Sequence, residues 1–139
     1  MASWTCPECH RQFGRRNQSH ECAPAMSQAR YFATGAAFER PIFEAVAAHL
    51  HSLGPPQTEY VSVGIFFKRS RTFAELRPMR NRVRLSFLVS RRLPKHPRIV
   101  KAWHGSGIRS AYFVDLHGPE DVDDELKDWL TEAYLTSPD

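Results

Sequence analysis

The chain has 139 residues, of which 42% are hydrophobic and 24% charged, with 10 prolines and 7 glycines. That length suits one compact domain with a small appendage, and the composition excludes a wholly disordered or collagen-like chain. The formal charge of +4 is unevenly spread: residues 1–60 hold five bases and five acids, residues 61–110 thirteen bases and one acid (+12), and residues 111–139 one base and nine acids (−8). Such asymmetry points either to a polyanion-binding face or to pairing of a basic region with an acidic helix. Apolar runs fall far short of the roughly 20 residues of a membrane-spanning helix, so no membrane association is expected. The opening MASWTCPECH has no basic n-region and no apolar h-region, so the expected compartment is the cytoplasm.

The three cysteines, Cys6, Cys9 and Cys22, all fall within the first 22 residues. An odd number of cysteines at one end of a cytoplasmic chain does not read as a disulfide framework. Cys6-Pro7-Glu8-Cys9 is a C-x2-C hairpin that lets two thiolates converge on one ion. His20 and Cys22 follow as C-x10-H-x-C, which completes a three-thiolate, one-imidazole set for structural zinc. His10 competes as a ligand, but adjacent residues rarely both reach one ion, so His20 ranks above it. The H-x-C spacing places His20 and Cys22 on an extended or turning segment, because residues two apart do not share a helix face. Phe13 and Trp4 are the candidate small core. Arg11, Arg15 and Arg16 on this knuckle are candidate phosphate contacts. The expected organisation is a zinc knuckle over 1–24, a linker over 25–40 and a main domain over 41–136.

In the main domain, Pro41 is expected to open a helix carrying Ile42, Phe43, Val46, Leu50 and Leu53 at helical spacing, stopped by Gly54-Pro55-Pro56. His49 and His51 read as surface or half-buried residues. Val61, Val63, Ile65 and Phe67 alternate and predict one strand. Thr72–Arg77 predicts a second, joined by a tight connection at 78–81 to the clearest strand, Arg82–Val89. Residues 91–98 read as a basic loop. Ile99–Trp103 reads as a short helix closed by Gly105-Ser106-Gly107, and Ile108–Leu116 as a last strand. Pro119 opens a final helix with acids crowded into its first turns. The fold class is therefore α+β: an antiparallel sheet of about four strands with flanking helices, preceded by the small zinc knuckle.

An antiparallel sheet can keep one face in water. Arg77, Arg82 and Arg84 alternate outward, and Arg91 and Arg92 follow at the end of the strand, so this face is the candidate nucleic-acid surface. Phe73 and Phe87 are expected in the core, and no stacking platform is expected on the wet face, so strong sequence preference is not expected either. The other partner class is an acidic protein docked by a non-enzymatic adaptor. No catalytic residue is expected. Glu120, Asp121, Asp123, Asp124 and Glu125 lack the glycine turn and glutamate spacing of a calcium loop. An enzyme would need a pocket of His96, His104 and His117 or similar groups that the sequence does not show.

Trp4-Thr5-Cys6-Pro7-x-Cys9 with Asn17-Gln18-Ser19-His20-x-Cys22 resembles the N-terminal knuckle of some bacterial members of the domain of unknown function 5655 family. The main domain resembles that family at Ile65-Phe66-Phe67-Lys68-Arg69, Thr72–Pro78, Arg84-Leu85-Ser86-Phe87, Arg91-Arg92-Leu93 and Pro119–Leu126, and more distantly resembles YdhG-like domains. The resemblance covers roughly residues 4–22 and 41–135. It implies an α+β domain and zinc ligands at Cys6, Cys9, His20 and Cys22. It implies no activity.

Overall fold

A computed structural model describes residues 4–20, 22, 24–105 and 109–137. Strands β1 (Trp4–Thr5) and β2 (Gln12–Phe13) pair antiparallel and frame the cysteine hairpin. Helices α1 (Gln28–Ala33) and α2 (Glu39–Leu53) follow. Next come β3 (Gln57–Val61), β4 (Gly64–Lys68), β5 (Thr72–Pro78), β6 (Val83–Val89), β7 (Ile99–His104) and β8 (Ser110–Leu116). A single 3-10 turn at Pro119–Asp121 and helix α3 (Asp124–Thr136) complete the chain. The main sheet runs β3-β4-β5-β6-β8-β7, and every neighbouring pair is antiparallel. No helix among the described residues is long and apolar enough to cross a membrane.

The α+β class stands, but the sheet has six strands among the described residues where about four were expected. Residues 61–67 are not one strand. Ser62 and Val63 turn the chain, and Val61 pairs with Gly64 across a two-residue hairpin. Because Val61 pairs with Gly64, odd positions before the turn share a face with even positions after it, so the apolar series 61, 63, 65, 67 spans two faces: Val61 is buried on the side of Glu59, Ile65 and Phe67 on the helix side. Gly64 is needed there because a Cβ would meet the Leu76 carbonyl of the neighbouring strand. Ile99–Trp103 is likewise not a helix. It lies in β7, an edge strand paired with β8. Five residues rich in β-branched and aromatic side chains nucleate a helix poorly and suit a pleated surface. The expected turn residues Ser106 and Gly107 and the strand start at Ile108 lie outside the described residues.

Helix α2 begins at Glu39, two residues before Pro41. The buried Glu39 carboxylate accepts from the Ala36 amide at 2.8 Å and from the Tyr31 hydroxyl at 3.3 Å, which closes the helix start. Within the segment read as a linker, α1 packs Tyr31 into the core, edge-on to Phe32. The core lies between the helices and one sheet face. Phe43 of α2 stacks on Phe67 of β4, and Trp129 of α3 on Phe87 of β6. Val83, Leu85, Phe87 and Val89 face inward from β6, opposite Tyr112, Val114 and Leu116 of β8. A bulge on β5 leaves Phe73 without a partner between Ala74 and Thr72. Phe73 and Ala74 are then both buried, with Phe73 edge-on to Tyr134.

Because β8 inserts between β6 and β7, residues 90–98 must cross beneath β8 to reach the edge. They cross on the helix side. The Leu93 amide donates to the inward-facing Tyr112 hydroxyl at 2.7 Å, and the His96 ring meets Trp129 edge-on. This path brings the basic loop against the flank of the acidic helix. Arg91 forks onto Glu132 at 2.8 and 2.9 Å, Arg98 meets Asp123 and Glu125, and His96 meets Glu125.

Candidate metal centre and outer sheet face

The knuckle turns sharply after its hairpin. The His10 amide donates to the Cys6 carbonyl at 2.9 Å, the Cys6 amide donates to the Arg11 carbonyl at 2.9 Å, and His10 takes a left-handed φ of 62°. Ligand atoms of Cys6, Cys9, His20 and Cys22 all lie within 4.8 Å of one another. Cys6 Sγ is 3.8 Å from Cys22 Sγ, and His20 Nε2 is 3.4 Å from Cys9 Sγ and 3.2 Å from Cys22 Sγ. A tetrahedral ion bonded to sulfur at about 2.3 Å and to nitrogen at about 2.0 Å requires edges of roughly 3.8 Å between sulfurs and roughly 3.5 Å from sulfur to nitrogen. The four side chains fit such an ion.

Two further features favour a cation there. His20 Nδ1 donates to the Gln18 carbonyl at 2.6 Å, because a carbonyl only accepts; Nε2 is thus the unprotonated nitrogen of the neutral ring, turned to the sulfurs. The thiols also differ in acidity. The Cys9 amide leads in pulling Cys6 down to about 6, whereas desolvation leads in pushing Cys22 up to about 11, with the Cys6 sulfur next. With no ion the Cys22 thiolate is disfavoured by burial and by the neighbouring sulfurs; a divalent cation offsets both. Among the described residues His10 is outside the cluster.

The knuckle sits on the sheet face opposite the helices, at the β3–β4 end. Glu59 of β3 is the centre of the contact. Its carboxylate meets Arg11 Nε at 3.0 Å, Lys68 Nζ at 2.8 Å and the Gln12 amide at 3.4 Å. Lys68 Nζ also donates to the Gln12 carbonyl at 2.6 Å and lies 4.1 Å from the Phe13 ring centroid. Lys68 is 2% exposed and Arg11 5%. Burial depresses the Lys68 ammonium, and Glu59 opposes that depression. Gly14 approaches the β4–β5 turn so closely that a Cβ would stand 2.6 Å from the Ser70 carbonyl oxygen. Neither Glu59 nor Lys68 stands out in the sequence as a partner of the knuckle.

Beyond the knuckle, the register sorts the outer face into three rows. Arg77, Arg84 and Asp115 form the first, across β5, β6 and β8. Phe66, Glu75, Ser86, Phe113 and Lys101 form the second, across β4, β5, β6, β8 and β7. Leu88, Ala111 and Trp103 form the third. This overturns the expectation of a face without aromatics. Parity gave the signal for two of them: Phe66 stands between the inward Ile65 and Phe67, and Phe113 between the inward Tyr112 and Val114. Trp103 follows only once 99–104 is known to be a strand.

A family model described as Domain of unknown function (DUF5655) matches residues 28–137. The chain belongs to that family. No curated protein and no solved structure matches the chain. The DUF5655 match takes in α1 through α3 and the whole main sheet, and leaves the knuckle outside.

The DUF5655 domain divides the candidate arginines between its two sides. Arg77 and Arg84 stand on the outer face and Arg82 at its edge. Arg84 meets Asp115 at 2.8 Å and Arg82 meets it at 3.0 Å, so one carboxylate serves two guanidiniums; Arg77 leans on Glu75 at 3.3 Å. Arg91 belongs to the loop on the helix side, where Glu132 holds it, and Arg92 is exposed on that same loop. On the knuckle, Arg15 and Arg16 are exposed, whereas Arg11 is consumed in docking. The histidines of the domain do not gather: His96 meets Glu125, His104 meets Ser110, and His49 bridges α2 to Thr131 of α3.

Proposed function

We propose that this chain is a non-enzymatic zinc-binding member of the DUF5655 family that binds nucleic acid through its outer sheet face and knuckle, without strong sequence preference. Zinc is the ion favoured by three thiolates and one imidazole in tetrahedral array. Four protein ligands leave no open position, so the metal is structural. The observation carrying the nucleic-acid reading is the composition of the uncovered face. Arg77, Arg82, Arg84, Lys101 and Arg71 stand on it or at its rim, with Arg15 and Arg16 beside it, against Glu75 and Asp115. Backbone-directed binding of this kind releases counterions and is steeply salt-dependent. Titration of a labelled oligonucleotide with the zinc-loaded chain should give a log–log salt slope of about −3 for roughly four phosphate contacts. No binding at low salt contradicts the reading.

The second reading, an adaptor for an acidic protein, draws on edge strand β7, where Val100 is 50% exposed and Trp103 56%. An edge with apolar side chains is a place for another chain to pair. That reading predicts a specific protein partner and indifference to nucleic acid.

A further inference from the structure

The rows of the outer face enclose a groove. A hollow of about 300 Å³ lies between the second and third rows. Phe66, Phe113, Trp103 and Leu88 line it, and the small Ser86 and Ala111 leave the space between them. It shares Glu75, Ser86 and Phe113 with a hollow of about 400 Å³ that reaches Arg77, Arg84 and Lys101. The two make one trough, apolar at one end and cationic at the other.

Two details fit this trough to flat, negatively linked rings. The Trp103 indole is more than half exposed, yet it rests on bare backbone: a Cβ at Gly105 would stand 2.6 Å from the ring. Lys101 Nζ lies 5.3 Å from the Phe113 centroid, so a cation accompanies the second ring.

We propose that this groove binds single-stranded nucleic acid, with bases stacked on Trp103 and Phe113 and phosphates held by Arg77, Arg84 and Lys101 at its cationic end. The inference rests on the nucleic-acid reading of this face and sharpens it. A duplex keeps its bases in its own stack and offers this face phosphates alone. An acidic peptide satisfies the arginines but not the aromatic walls. Single strands bring both groups together, and sheet faces with exposed aromatics and flanking cations suit them.

The test is an anisotropy titration of fluorescein-labelled oligothymidylate and of a labelled duplex of equal length, using the zinc-loaded full chain. Single strand should bind more tightly than duplex. Trp103→Ala and Phe113→Ala should each weaken the single strand at least fivefold and leave the duplex within twofold, while Trp103→Phe keeps most of the affinity. Trp103 is exposed, so its variants should keep the parent melting temperature. Equal binding of single strand and duplex, unchanged by either alanine variant, overturns the stacking groove but leaves salt-steep polyanion binding standing. Equal competition by polyglutamate overturns it in favour of an acidic peptide. No binding of either oligonucleotide at low salt removes both the groove and the reading beneath it.

Discussion

The carbonyl of Gln18 decides which nitrogen of His20 faces the sulfurs, and so decides between the two histidines of the knuckle. His20→Ala should lose the ion, whereas His10→Ala should retain it, as read by metal content after dialysis. Asp115 is the other residue with a sharp prediction. Arg84, through a direct hydrogen bond, and then Arg82 hold its carboxylate below the ordinary range. A depressed carboxylate contributes stability that is complete above its unfolded value of about 3.9 and is lost as pH falls through its lower folded value. Asp115→Asn should therefore cost about 1 kcal/mol at neutral pH. The gap from the parent in thermal denaturation should narrow as pH drops below about 4. The cluster of Cys6, Cys9, His20 and Cys22 was legible in the sequence because a four-residue metal set imposes a spacing. Lys68 was not, since its burial comes from residues 11–13, far away in the chain, and nothing near Lys68 records it.

At the scale of elements, the docking of β1–β2 on β3–β4 turns on one buried carboxylate between two cations. Glu59→Gln removes the carboxylate that pairs with the buried Lys68 and Arg11, a loss on the order of 3–5 kcal/mol for a buried pair. The loss should fall on the contact between knuckle and sheet. It should appear as faster metal release to a chelator and faster amide exchange over residues 11–14, with the main sheet protected as before. Element by element, the long helices and strands β5 and β6 were legible because their periodicity was sustained over a whole buried face. The β3–β4 hairpin was hidden because Val61, buried on the outer face, falls on the same sequence parity as Ile65 and Phe67, which are buried on the inner one. Strand β7 was hidden because an edge strand with five of its six residues exposed has no buried face to impose a pattern.

Across the whole molecule, the swing from +12 to −8 turns out to have two meanings. Part of it is internal: the crossing of residues 90–98 beneath β8 lays Arg91 and Arg98 against Glu132, Asp123 and Glu125. The rest remains on the outer face. The charge count was legible in the sequence, but its division between the two sides depends on the strand order, which no local pattern encodes. The two sides make opposite predictions. Arg84→Ala should weaken oligonucleotide binding several-fold and flatten the salt slope by about one contact, whereas Arg91→Ala should leave both within error. Equal effects of the two substitutions would contradict this assignment of faces.

In the proposed function one metal ion closes the knuckle against the sheet, and the knuckle forms one border of the binding face. The most direct measurement is the metal content of the purified chain by inductively coupled plasma mass spectrometry, with Cys9→Ser in parallel. About one zinc per chain is expected in the parent and little in the variant. A parent chain free of metal, or one that holds its zinc equally well without Cys9, would contradict the proposed function.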